Sequence, residues 1–438
     1  MKRIFSQFAY SDDPRQGCWW DSTVEIGQNP RLQGDVTCDV VIVGAGFTGL
    51  SAAYHLARSG ASVVVLEANA VGWGASGRNG GFCCLGGGKA SDATLDKRVG
   101  RTGRLEWRLA EKAAVELVDQ LLTELNLDVD RHSTGETCLA HRPKDARGFE
   151  RAAATVEENY GVSPEVLTDA QLGAAGMAGP FHGAMTVPIG FALNPRKFVA
   201  GLYAAATELG VQFFDQSAVT DINEADVSTA SGRVFSDRVI VATNGYSSED
   251  IPHWMAGRYM PTQSTVIVTR PLMPDELSAQ GWTSTQMAYD SRHLLHYFRL
   301  MPDNRFLFGM RGGIFSSKTA EGVAQARVIQ DFRKMFPAWA GVEIPHAWSG
   351  MVCLARDLVP FAGGVAGAPN VLAGFAYHGN GVAMGTFTGK TLAQLALGQA
   401  PALYPAAMRN PARKFPFGSL RRSIMPPLYA AYHVDDML

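Results

Sequence analysis

Residues 39–67, DVVIVGAGFTGLSAAYHLARSGASVVVLE, constrain the fold more than any other stretch of this chain. Val40 to Val43 form a short apolar run typical of a strand buried on both faces, and it leads straight into Gly44, Gly46 and Gly49, spaced as G-x-G-x-x-G. Leu50, Ala53, Leu56 and Ala57 then recur at helical spacing, Gly60 stops the helix, and Val63 to Leu66 make a second buried strand. The whole is a βαβ unit. Gly44 allows the tight turn, Gly46 lets backbone approach a pyrophosphate, and Gly49 lets helix and strand pack closely, while the helix N-terminus faces the phosphate charge. Glu67 ends the second strand, about 20 residues beyond the glycines, where a carboxylate accepts hydrogen bonds from ribose hydroxyls and disfavours a 2′-phosphate. The unit therefore predicts dinucleotide binding by an α/β domain.

At 438 residues the chain exceeds the roughly 250–300 residues at which a single core stops growing, so two domains are expected. With 39 Lys and Arg against 41 Asp and Glu the formal net charge is −2, which argues against bulk binding of nucleic acid. Cys18, Cys38, Cys83, Cys84, Cys138 and Cys353 show no zinc-type spacing, so reduced thiols and no metal site are expected. The first 21 residues carry charges and a proline where a signal peptide needs an apolar core, and no apolar run reaches the ~18 residues of a membrane span. A cytoplasmic chain with no transmembrane segment is the expectation.

Two further glycine-rich stretches carry chemistry. After Glu67, Gly72, Gly74, Gly77, Gly80 and Gly81 are interleaved with Ser76, Arg78 and Asn79, a pattern that offers amides and short polar side chains to a long extended ligand. Near the other end, the strand Val371 to Ala373 meets Gly379-Asn380-Gly381 and then a helix with small residues at its start, a second N-terminus for negative charge.

With these motifs the sequence resembles the FAD-dependent amine oxidoreductases of the D-amino-acid oxidase superfamily, the glycine and sarcosine oxidase-like group, and within it the γ-glutamylputrescine oxidoreductase branch. The resemblance is carried by DVVIVGAGFTGLSAAYHLA, GWGASGRNGGF, VIVATNGYSSEDIP, HYFRLMPDNRFLFGMRGG, AWSGMVCLARDLVPFAGG and GFAYHGNGVAMGTFTGK, and it runs from residue 18 to about residue 400. It implies a Rossmann-like FAD-binding domain interleaved with an α+β substrate domain built on a mostly antiparallel sheet. The pieces expected are an N-terminal extension (1–35), a discontinuous FAD-binding domain (36–100, 190–255 and 345–405), a substrate domain (101–189 and 256–344) and a C-terminal tail (406–438).

The resemblance also implies the cofactor contacts. Gly44, Gly46, Phe47, Thr48, Gly49, Glu67 and Ala68 would hold the AMP half of FAD, and Gly74, Ser76, Asn79, Gly80 and Gly81 its middle and the flavin edge. Val219 would meet the adenine through backbone, and Ala242, Thr243 and Asn244 the pyrophosphate. Gly379, Asn380, Gly381 and Val382 would present amides to the pyrimidine end of the isoalloxazine, where negative charge grows on reduction.

The chemistry implied is transfer of a hydride equivalent from the carbon beside a neutral amine to flavin N5, followed by hydrolysis of the imine. Strand alternation puts Tyr297 and Arg299 on one face, and Leu307, Gly309 and Arg311 on one face of the next strand. In matching register, Tyr297, Arg299 and Arg311 surround the gap at Gly309, where two arginines would bind a substrate carboxylate. The other reading of each arginine is a surface residue with a packed stem. Tyr259, Trp348 and Tyr377 are candidates for an amine cage or, individually, for core packing. His378, beside the last glycine turn, is either a group that helps deprotonate the amine or a histidine bonded to backbone.

Two departures from sarcosine oxidases bear on the acceptor and on attachment. Leu307 stands where those enzymes carry a lysine linked to reaction with oxygen, so the acceptor is oxygen or a redox carrier. Cys353 is offset from their flavin-attaching cysteine, so FAD is expected to be non-covalent. Besides oxidation of a primary or secondary amine, two alternatives remain. One is a D-amino-acid or cyclic imino-acid dehydrogenase, and the other is a flavin-fold protein that binds RNA or a partner.

Overall fold

The computed structural model describes residues 1–224 and 226–437; Ala225 and Leu438, the last residue of the expected tail, lie outside them. Two large sheets organise the chain. In the first, the strands stand in the order Phe361–Val365, Ala368–Phe375, Gly232–Val241, Gly34–Val43, Val63–Leu66 and Gln212–Phe214, with Asp226–Thr229 and Val219–Ile222 added beside Gly232–Val241. Pairing is parallel where the βαβ unit requires it, with Val41 opposite Val64 on one side and Val239 on the other. Val41, Ile42, Val64 and Val65 are wholly buried, as expected of strands covered on both faces.

The helix Phe47–Arg58 lies along this sheet against the helix Gly381–Ala396, and the contact is close because Gly389 carries no side chain: a Cβ there would stand 2.4 Å from the Thr48 carbonyl oxygen. The core on this side joins Ile42, Leu50, Ala53, Phe198, Leu202 and Leu392 with Trp107, Ala110, Ala114 and Val118. Those last four belong to the helical stretch Asp92–Glu124, which kinks at Gly100 (φ +72°); the expected division at residue 101 falls at that kink, but the helix beyond it packs its apolar side on the first sheet's helices and so belongs with the first sheet.

The second sheet runs His346–Leu354, Met260–Val268, Phe306–Gly313, His296–Leu300, Met287–Asp290, Glu136–Leu139, Gly183–Val187 and Glu165–Thr168. Its pairs are antiparallel except Met287–Asp290 with Glu136–Leu139. His346–Leu354, expected among the FAD-binding pieces, pairs along its whole length with Met260–Val268, because nine consecutive ladder positions hold it there. One face of this sheet is sealed by an aromatic core of Phe298, Phe306 and Phe308 with Trp282, Phe332, Phe336 and Trp339. At about 1.5–3 kcal/mol for each such buried side chain, this core fixes which way the strands face. Alternation then turns Tyr297, Tyr289 and Arg311 to the opposite side, where a cavity separates the two sheets.

Candidate active site

The cavity, of about 330 Å³, lies between the ends of the first sheet's central strands and the free face of the second. Glycine geometry shapes its first half. Gly44 has φ +106°, and a Cβ on Gly49 would lie 1.9 Å from the Gly44 carbonyl oxygen, so strand, turn and helix meet there backbone to backbone. Gly46 lines the open side, where a Cβ would stand 2.8 Å from Ser76 Oγ. That hydroxyl in turn accepts from the Phe47 N–H at 2.9 Å. Neither N-cap residue, Gly46 nor Asn380, caps its helix with its own side chain, and Phe47, Thr48, Gly381 and Val382 all line the cavity. Two helix starts, the first with its Phe47 amide held by Ser76, therefore open into one space, which suits a ligand carrying anionic groups.

Glu67 stands at the rim of this half. Its Oε2 accepts from the Ala45 N–H at 2.9 Å and its Oε1 from the Asn69 N–H at 3.0 Å, and burial holds its carboxyl above the usual range. Each oxygen keeps a free lone pair. Asn244 Oδ1 accepts from the Ala376 N–H at 2.9 Å, which ties the 242–244 segment to the one entering Gly379. Ala68, Gly74, Asn79, Gly80, Val219, Ala242, Thr243, Asn244, Gly379 and Asn380 line the cavity with the residues already named. Gly49 and Gly81 do not; a Cβ on Gly81 would meet the Leu193 carbonyl oxygen at 2.0 Å, so both glycines serve close packing. A cavity lined by two helix starts, by the Glu67 carboxyl and by glycines from three separate segments fits FAD.

On the second-sheet side the hairpin register is the expected one, Tyr297 opposite Gly309 and Arg299 opposite Leu307. Tyr297 and Arg311 line the cavity. Tyr297 Oη shares a hydrogen bond of 2.9 Å with Ser264 Oγ, and Arg311 Nη2 donates to Asn380 Oδ1 at 3.3 Å. Tyr377 lines it too, but its hydroxyl is bonded to Thr48 Oγ1 at 2.7 Å, which fixes the ring to the first helix.

Four expected site residues lie elsewhere. Arg299 is fully buried beneath Trp20 and Phe82 and donates to the Leu193 carbonyl, so it braces the N-terminal segment. Tyr259 is buried in the first sheet's outer core with its hydroxyl on the Ser247 carbonyl, and Trp348 is buried with its indole N–H on the Arg78 carbonyl. His378 is buried outside the cavity; Nε2 accepts from the Ala355 N–H at 3.3 Å, and burial pushes its pKa down to about 3. A neutral ring already engaged with backbone is not a base facing a substrate.

Other groups at the site went unrecognised in the sequence: Lys89, Glu136, Cys84 and Tyr289 complete the wall near Arg311. Lys89 is exposed to solvent within the cavity, and the protein packed around it together with repulsion from Arg311 pushes its ammonium down to about 8. Burial raises Glu136, against attraction from Lys89 and Arg311. The available signals were a lone acid opening the apolar strand ETCL and a lone lysine closing a run of three glycines.

The sequence model of the family described as "DAO: FAD dependent oxidoreductase" matches residues 39–395. The chain belongs to this family. Among curated relatives of this FAD-dependent oxidoreductase, gamma-glutamylputrescine oxidoreductase of Escherichia coli K12 is 32% identical over 92% of this chain and 93% of its own length. Probable oxidoreductase OrdL of Haemophilus influenzae is 30% identical over 89% of this chain and 90% of its own. Among solved structures, glycine oxidase from Geobacillus kaustophilus aligns with a TM-score of 0.69 at 19% identity, covering 85% of this chain and 98% of that one. This FAD-dependent oxidoreductase is of the amine and amino-acid type, with a small-molecule substrate. Among its described residues no helix is long and apolar enough to cross a membrane.

Proposed function

We propose that this chain oxidises the C–N bond of a primary or secondary amine that also carries a carboxylate, in the manner of a γ-glutamylputrescine-like amine. The observation that carries this reading is Arg311, a guanidinium that lines the cavity beside the Gly379–Val382 turn and has, among the described residues, no carboxylate within ion-pair distance. A half-buried guanidinium that faces the cavity without a counter-ion is suited to receive an anionic ligand. The relative named gamma-glutamylputrescine oxidoreductase points the same way.

FAD, held by the Gly44–Thr48 turn, Glu67, Ser76, Asn79, Thr243, Asn244 and Gly379–Val382, supplies the acceptor for two electrons and a hydrogen. The chain's own part is to bind and orient: Arg311 receives the carboxylate, while Tyr297 and Tyr289 wall the reacting end and exclude water. We assign residues 36–124, 190–255 and 355–405 to the FAD-holding part, and 125–189 with 256–354 to the substrate part.

We read the attachment as non-covalent. Cys353 and Cys84 line the cavity, but burial pushes Cys353 up to about 12 and Cys84 well above its ordinary value, and a protonated thiol is a poor nucleophile. Leu307, packed in one cluster with Trp20 and Trp348, puts no cation at that place, so a redox carrier is favoured over oxygen as acceptor. Anaerobic mixing with amines, N-methyl amino acids, D-amino acids and cyclic imino acids, followed by air, tests the reading. Bleaching by a carboxylate-bearing amine with slow recolouring in air is expected; bleaching by none of them rejects it.

A further inference from the structure

Residues 3–20 precede residue 39, where the family match begins, yet they pack against the cofactor half of the cavity. Arg15 Nη1 donates to the Trp73 carbonyl at 2.6 Å, Trp20 Nε1 donates to the Asn79 carbonyl at 2.8 Å, and Trp73 Nε1 donates in return to Asp12 Oδ1 at 2.6 Å. The segment thus fastens the second glycine-rich stretch, whose Gly74, Ser76 and Gly80 line the cavity. Its start is anchored as well. Phe5, Ala9 and Tyr10 pack with Tyr246 and Met351, while the Lys2 N–H donates to Asp250 Oδ1 and the Lys2 carbonyl accepts from the Glu249 N–H, both at 2.7 Å.

This anchoring delivers Arg3 to the cavity. Its guanidinium lies over the Tyr10 ring, 4.1 Å from the centroid, and Arg3 lines the cavity together with Glu67, Thr243 and Ser247. The side chain is half-buried and forms no ion pair among the described residues, where its one hydrogen bond runs from Nε to Met1 Sδ at 3.3 Å. Both Nη groups are left without an acceptor.

Topology places these donors along the cofactor. Glu249 and Asp250 follow Ala242–Asn244 off the end of the strand Gly232–Val241, which runs parallel to Gly34–Val43 and ends beside the Gly44 turn. A dinucleotide lies off the carboxyl ends of such strands, with its phosphates at the helix start that follows. The negative charge of oxidised FAD is on its diphosphate, and a guanidinium fork matches phosphate oxygens two at a time.

We propose that residues 3–20 form a strap that completes the FAD site from outside the matched stretch, with Arg3 as a ligand of the FAD diphosphate. Tyr10 positions the guanidinium, and Arg15 and Trp20 hold the glycine-rich stretch in place. The strap acts on the cofactor whatever amine the cavity takes.

The test titrates the full chain, freed of flavin, with FAD and follows flavin fluorescence in the wild type, Arg3→Met and Arg3→Lys. Loss of a hydrogen-bonded charge contact is expected to weaken FAD binding at least about tenfold in Arg3→Met, with Arg3→Lys recovering part of it. Added salt is expected to weaken FAD binding more steeply in the wild type than in Arg3→Met. Unchanged affinity in Arg3→Met, or parallel salt dependences, overturns the diphosphate contact.

Hydrogen exchange over residues 4–20 reads the strap itself. Saturating FAD is expected to slow exchange there in the wild type, and to slow it less in Arg3→Met. The same exchange with and without FAD overturns the strap, and equal slowing in both proteins overturns the part given to Arg3.

Discussion

The ring of Tyr297 occupies the place that a side chain on Gly309 would need: the two residues face each other across an antiparallel pair, and a Cβ on Gly309 would stand 2.2 Å from the ring's Cζ. The missing side chain is therefore what lets the phenol lie flat in the cavity wall and reach Ser264. Gly309→Ala is expected to displace the ring and cost about 1–3 kcal/mol, seen as a lowered Tm. Tyr297→Ala removes the obstacle, so the double variant should lose less than the two single losses added, and full additivity would contradict the contact.

The two glycines of the first turn should fail differently. In Gly49→Ala the new methyl meets a backbone oxygen at 1.9 Å, which cannot move without lifting the helix off its strand, so both Tm and flavin content should fall. In Gly46→Ala it meets the Ser76 hydroxyl, a movable side chain, so the cofactor-free chain should keep its Tm while FAD binds more weakly. Equal Tm losses in the two variants would contradict this division.

Glu67→Gln replaces one acceptor oxygen by an amide that cannot accept from Ala45 or Asn69. Turning that amide away also removes one acceptor for a ribose hydroxyl, and the loss of such a bond to the cofactor is about 1–3 kcal/mol, or roughly 5- to 150-fold in the FAD dissociation constant. Titration of the cofactor-free variant with FAD, followed by flavin fluorescence, measures it, and unchanged affinity would remove Glu67 from the site.

Acid stability should report the buried histidines. His378, pushed down to about 3, is neutral in the folded chain, whereas the unfolded chain takes up a proton below about pH 6.5. The unfolded state thus binds more protons between those values, and stability is lost as pH falls from about 6.5 toward 3. His55 and His132, lowered to about 3 and about 4, act in the same direction. His378→Asn, which suits the residue's φ of +50°, should flatten the fall of unfolding free energy over that range without removing it. An unchanged slope would mean the ring is already protonated when folded.

What was legible in the sequence was what backbone encodes locally. Gly44, Gly46, Gly49 and Glu67 lie within 24 residues of one another, and their spacing alone specifies strand, turn, helix and acid. The Tyr297 to Gly309 register was readable for the same reason, since a three-residue turn sets it. Arg299 and Arg311 could not be told apart, because both satisfy the same alternation. What buries Arg299 is Trp20, Phe82 and Leu193, brought from three distant parts of the chain. Glu136 was invisible for a similar reason: its strand joins the wall by parallel pairing with Met287–Asp290, some 150 residues away.

Anaerobic flavin bleaching with a carboxylate-bearing amine, in the wild type and in Arg311→Met, tests amine oxidation with the carboxylate held by Arg311. Bleaching in the wild type is expected, with the half-saturating amine concentration raised about 10- to 150-fold in the variant while FAD content is kept. No bleaching by any such amine would rule out amine oxidation, and the same half-saturating concentration in both proteins would remove Arg311 from carboxylate binding.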